Sequence, residues 1–166
     1  MGLGKSWTSS GEWALNLLHL LAVAAIAACL YVSLPEWQGR SRSRGFLLVP
    51  PVLAFICAYI MIGFVTLENR EPGLLRAALA VGLLLGIIRG FFIKAEIDNY
   101  GLVRLPGMRD GLLVTVAITA TMAAAILAPL VIGQAAAWVP YATSLAGLGA
   151  TYLLGRAVVV YLRTRS

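Results

Sequence analysis

Three side chains with the means to do chemistry stand inside or beside long apolar runs: His19, Arg89 and Arg156. Arg89 lies in Leu85-Gly-Ile-Ile-Arg-Gly-Phe-Phe92, between Gly86 and Gly90, so its stem leaves a helix beside a flat, small-residue face. A guanidinium so placed can hold an anionic headgroup or a partner carboxylate. It also lies only about four residues from the end of its run, within reach of water or phosphate by snorkelling. Arg156 is a little deeper, roughly 9 Å from the end of its run by helical rise, with Tyr152 one turn back to stack on. Snorkelling suffices there too. His19, with Asn16 one turn before it, could handle a proton or touch a quinone, and an interhelical hydrogen bond explains it equally well.

No catalytic set accompanies them. The acidic residues are Glu12, Glu36, Glu68, Glu71, Glu96, Asp98 and Asp110, and all fall at the ends of apolar runs or between them. A proton-coupled pump uses a carboxylate relay inside the membrane, and none is placed for it. A single His without a carboxylate near it in sequence argues against zinc or haem. The two cysteines, Cys29 and Cys57, lie in different runs and form no Cys-x-x-Cys. If those runs pair antiparallel, the thiols differ in depth by roughly 9 Å, too far for a disulfide. Buried, inert thiols are expected. The reading is therefore of a non-enzyme with no cofactor and no metal.

Composition says where such residues can be housed. The chain has 166 residues, 60% hydrophobic and 12% charged, against about 25% charged in an ordinary soluble domain. Lipid-facing surface has to be apolar, so this balance points to a membrane protein. The formal charge of +6 does not point to nucleic acid, because the positive residues flank the apolar runs, which is a topology signal. One integral membrane domain with five transmembrane helices is expected, at 13–34, 46–67, 74–93, 111–132 and 138–162. The first eleven residues read as a disordered or interfacial lead-in, with Trp7 and Trp13 at headgroup level. Met1-Gly2 resembles a myristoylation signal, which a chain with several spans has little use for. Pro35 is expected to stop the first span. Pro50-Pro51 fall in the first turns of the second, where missing amides cost least.

Between the third and fourth runs, Lys94–Ile97 and Leu102–Leu105 read as two short strands around an Asp98–Gly101 turn. Such a hairpin is marginal alone and should pack on helix ends. With five spans, the side holding this hairpin, the first loop and the C-terminus carries nine Lys or Arg, against three on the other side and Arg156 within its span. That bias predicts an external N-terminus and a cytoplasmic C-terminus.

Two stripes of small residues recur every fourth position: Ala78, Gly82, Gly86 and Gly90 in the third run, and Thr143, Gly147, Thr151 and Gly155 in the fifth. Such seams let helices approach closely in lipid. They predict that the third and fifth helices lie at the centre of the bundle, and they are the expected surface for self-association or a partner. The likeness between the two runs is too slight for an internal duplication.

Gly82-Leu-Leu-Leu-Gly86-Ile-Ile-Arg89-Gly90, a mixed-charge stretch, Asp98-Asn-Tyr-Gly101, Leu-Val-Arg104 and a new apolar run together resemble the CcdC-like family of small bacterial inner-membrane proteins. The match covers about Ala78–Leu127. It implies a helical bundle in a bacterial cytoplasmic membrane. The cytochrome c maturation to which the family name alludes is not carried over, since the chain has neither Cys-x-x-Cys nor a haem-ligand pair. The expectation is an all-α integral membrane bundle with a short cytoplasmic β-hairpin-like loop. As a non-enzymatic accessory protein or scaffold, it would bind membrane lipids and a second copy or another membrane protein. The alternative is a small dimeric transporter or permease with Arg89, Arg156 and His19 facing a cavity.

Overall fold

Apolar runs of this length satisfy their backbone polar groups internally by coiling, and the computed structural model is helical almost throughout. It describes residues 8–37, 41, 43–65, 72–98, 102–104, 109–131 and 137–165. The helices are α1 (Thr8–Trp37), α2 (Val49–Phe64), α3 (Pro72–Phe92), α4 (Asp110–Val131) and α5 (Val139–Arg163), with a 3-10 turn at Arg44–Leu48 leading into α2. Among the described residues, four stretches are long and apolar enough to cross a membrane: Arg44–Gly63, Pro72–Phe92, Asp110–Leu127 and Val139–Arg163. In α1 the apolar stretch His19–Leu34 is shorter. Proline opens α3, and it sits in the first turn of α2 and of α5. An amide is unpaired there in any case.

Three helix ends differ from expectation. The α1 helix does not stop at Pro35 but continues to Trp37. Proline loses its own bond to the carbonyl four residues back and crowds that carbonyl, but the next residues can still close theirs. The α1 helix also begins at Thr8, inside the expected lead-in. At the other correction, the start of the second run winds as a 3-10 turn, and the α-helix proper begins at Val49. The expected connection Gly133–Ala137 falls mostly outside the described residues.

The packing makes a ring of four helices and one outlier. The ring is α1, α2, α5 and α4, each against the next, and α3 lies outside it against α5. This corrects the expectation that α3 and α5 share the centre. α5 is central, whereas α3 leaves Leu84, Leu85, Ile88, Phe91 and Phe92 exposed. The ring's interior is built of small and flexible side chains, among them Ala22, Cys29, Ala54, Cys57, Met61, Met122, Ala146 and Ala150. Buried hydroxyls in it back-bond to their own helices, as in Ser33 to Cys29, Thr115 to Gly111 and Thr119 to Thr115. That satisfies them without water. Ser33 on α1 lies 3.1 Å from Thr115 on α4, linking the two helices across the core.

The two thiols require a further correction. Cys29 lies eight residues before the end of α1 at Trp37, and Cys57 eight residues after the start of α2 at Val49. They are therefore level, not roughly 9 Å apart, and they interact directly. The shift follows from the two altered helix ends.

Candidate functional site

The polar side chains gather where α3 and α5 end and α4 begins, together with the hairpin. The strands are β1 (Glu96–Ile97) and β2 (Val103–Arg104), antiparallel with Glu96 opposite Arg104 and Ile97 opposite Val103. Asp98 donates its amide to the Leu102 carbonyl at 2.9 Å. The turn residues Asn99–Gly101 lie outside the described residues. So short a ladder needs support. Ile93 and Val103, each 1% exposed, bury against Val160 of α5, with Leu47 of the 3-10 turn beside them. The hairpin is thus fixed to helix ends.

Arg89 does not extend freely to solvent. It donates to the Asp110 carboxylate, the first residue of α4, through both Nε and Nη2. Both nitrogens converge on one oxygen, Oδ2, so the pair is a charge-assisted contact without the two-oxygen fork. Asp110 is also the acidic residue of the first turn of α4, where the helix dipole favours negative charge. Tyr152 on α5 is close enough to both to feel their charges. Three helices therefore meet at one ion pair. In sequence the partners are separated by the hairpin, and neither residue pattern points to the other.

Arg163 was expected only as part of the basic C-terminal flank. It reaches across to α3, where its Nη1 donates to the carbonyls of Phe91 at 2.8 Å and Ile93 at 3.0 Å, with Gly90 at 3.4 Å. Gly90 and Phe91 are among the last acceptors of α3, left without amide partners by the end of the helix, and Ile93 follows directly after it. A cation there also complements the dipole. The nearest sequence signal would have been its place in the last turn of a helix running parallel to α3.

Arg156 is turned inward, 6% exposed with Nη1 wholly buried. This corrects the snorkelling reading for that residue. Its carbonyl faces Gly90 across the α3–α5 contact. The carbonyls of Leu148, Tyr152 and Arg156 meet Gly82, Gly86 and Gly90 in turn, one per helical turn, so α3 and α5 run parallel and in register. A methyl at Gly82 or Gly86 would lie 2.2 Å from a carbonyl oxygen, well inside van der Waals contact. From the other side Gly155 approaches the backbone of Leu83, Gly86 and Ile87, while Gly147 receives Leu75 and Leu79. Thr151 contributes its hydroxyl at Gly82, and Ala78 is half-buried on the same helix. The two stripes thus face each other within one chain.

His19 is brought to neither arginine. It is half-buried near the far end of the bundle, some 18 residues from the end of α1, which puts it more than about 20 Å from Arg89 in depth. A pocket of about 180 Å³ opens at that far end, between α2, α3 and α5. It is lined by Ile62, Val65, Pro72, Leu75, Pro140, Thr143 and Ser144, and by none of His19, Arg89 and Arg156. Thr143 and Ser144 spend their protons on Val139 and Pro140, so the pocket offers little polar chemistry. Among the described residues no three His, Cys, Asp or Glu side chains are grouped to hold a metal ion. What the arrangement does chemically is hold helix ends: an ion pair ties α3 to α4, and a guanidinium ties α5 to α3. No protein-family model matches the chain, and no curated protein and no solved structure is similar to it.

Proposed function

We propose that the chain is an integral protein of a bacterial cytoplasmic membrane, crossing it five times with the N-terminus outside and the hairpin and C-terminus in the cytoplasm. Its role is that of a non-enzymatic accessory protein or scaffold that binds membrane lipids and a protein partner. The observation that carries this reading is the contrast between the two kinds of surface. Along the helices large apolar side chains face outward, among them Tyr59, Leu84, Phe92 and Leu113, as lipid contact requires. The basic residues Lys94, Arg109 and Arg165 are exposed at the hairpin end, where anionic headgroups would meet them. The resemblance to the CcdC-like family points to the same compartment.

The α3–α5 contact sharpens the partner reading. Both small-residue stripes are occupied by each other, so a partner or second copy has to use a different face. Among the described residues, α3 exposes more large apolar side chains than any other helix. Within one chain the three polar side chains of the dimeric-transporter alternative do not converge on the pocket, which favours the scaffold reading.

Native mass spectrometry of the protein released gently from its own membrane tests the assignment. The expected species carries a second polypeptide or a retained anionic lipid. A bare monomer with neither, released under conditions that preserve known membrane complexes, would overturn the scaffold reading.

A further inference from the structure

We propose that Cys29 and Cys57 form a dithiol–disulfide couple across the α1–α2 contact, oxidised by a lipid-soluble quinone. Both thiols are wholly buried, lie at the same level on adjacent helices and interact directly. Alanines make the surrounding seam: Ala22 and Ala25 on α1, Ala54 and Ala58 on α2. With so little bulk between them, the helices can move the short distance a sulfur–sulfur bond demands.

The surroundings select the oxidant. The side chains packed around the pair are mostly apolar, and the Ser33 hydroxyl one turn from Cys29 is spent on the Cys29 carbonyl, so a charged metal–thiolate complex would be costly there. A disulfide is neutral, donates no hydrogen bond and leaves no charge behind. Water-borne oxidants are kept out by the same apolar shell. The α1–α2 contact is, however, one edge of the four-helix ring, a single helix away from the surrounding lipid. An apolar carrier dissolved in that lipid has the shortest approach. The reaction breaks two S–H bonds and forms one S–S bond. Two electrons and two protons pass to the quinone, which leaves as hydroquinone. The product staples α1 to α2 at mid-helix, and it is shielded from aqueous thiols that would reverse it.

This inference rests on the membrane reading, and the experiment separates the two. The full chain is reconstituted in phosphatidylcholine vesicles with or without a short-chain benzoquinone, and flotation reports insertion. Samples are then acid-quenched, denatured and tagged with a maleimide-linked polyethylene glycol. Two tags per chain are expected without quinone and none with it, with one quinone reduced per chain. Trypsin cleavage between Arg40 and Arg44 should leave the fragments joined until a reductant is added. Cys57→Ser and Cys29→Ser should each carry one tag in both conditions. Two tags retained in floated, quinone-loaded vesicles would overturn the proposal, as would crosslinks between chains or a quinone–sulfur adduct. Equal oxidation by external ferricyanide would overturn the lipid route. If the protein does not float, the membrane reading fails, and the same assay in detergent micelles decides the thiol pair alone.

Discussion

α3 and α5 carry the same signature, a small residue at every fourth position, yet they occupy opposite kinds of place. In the most apolar window of α3 17% of positions are buried, against 61% in α5. The stripe on α3 makes one close contact and leaves the rest of the helix facing out. α5 has a second small-residue face, with Ala146, Gly149 and Ala150 all buried, and Gly149 receives Ile118 of α4. A single stripe therefore marks one near neighbour, and it takes two stripes on different faces to mark a central helix. In lipid, where apolar side chains gain nothing by leaving their surroundings, close packing is what separates the two situations.

The largest expected effect comes from forcing α3 off α5. At Gly86 an added side chain meets the backbone of Tyr152, which cannot rotate away as a side chain can. Gly86→Leu should destabilise the protein by at least about 3 kcal/mol, the upper end for overpacked cores. Denaturant titration in detergent micelles measures it. The ring of α1, α2, α4 and α5 should keep its own contacts, so thiol tagging of Cys29 and Cys57 should still find them protected before unfolding. Loss of that protection in the folded variant would mean that α3 supports the ring, and the peripheral assignment would be wrong.

How much of this could be read from residues alone follows the same division between local and tertiary causes. The helices and both strands were legible, since they depend on apolar runs and on turn residues close in sequence. β1 and β2 fall within the stretches Lys94–Ile97 and Leu102–Leu105. The level of the thiols was not, because it depends on whether α1 stops at Pro35 or two residues later, and on a 3-10 turn that no residue announces. Nor was the Arg89–Asp110 pair, since its geometry is set by how three helices meet. The centrality of α5 is recoverable in principle from Ala146, Gly149 and Ala150, which mark a second small-residue face on the same helix.

A smaller effect is expected from the link that runs the other way, from α5 to α3. Arg163 holds the carbonyls at the end of α3, and Arg163→Gln shortens the reach and removes the charge. A loss of about 1–2 kcal/mol is expected, the scale of charge-assisted hydrogen bonds at a partly exposed site. Hydrogen exchange should rise in the last turn of α3 and stay unchanged in its middle, where Gly82 and Gly86 still hold it against α5. Exchange that rises along the whole of α3 would show that the cap, rather than the glycine contact, anchors the helix.

The smallest effect should fall on the outer face of α3, and its size decides what that face is for. Leu84 is 60% exposed, whereas Leu153 on α5 is 4% exposed within the ring. In the isolated protein in micelles, Leu153→Ala should cost about 2–4 kcal/mol, the usual range for a buried leucine with a cavity left behind. Leu84→Ala should change stability by no more than about 0.5 kcal/mol, since detergent or lipid fills the space of the lost methyl groups. In its own membrane the same Leu84→Ala gains a second readout. If α3 is the docking helix of a scaffold, the partner seen by native mass spectrometry should be lost or weakened while the fold is untouched. Retention of the partner at full occupancy would move the interface off α3, and α1 would then be the next helix to test, with Leu20, Val23 and Tyr31 exposed along it.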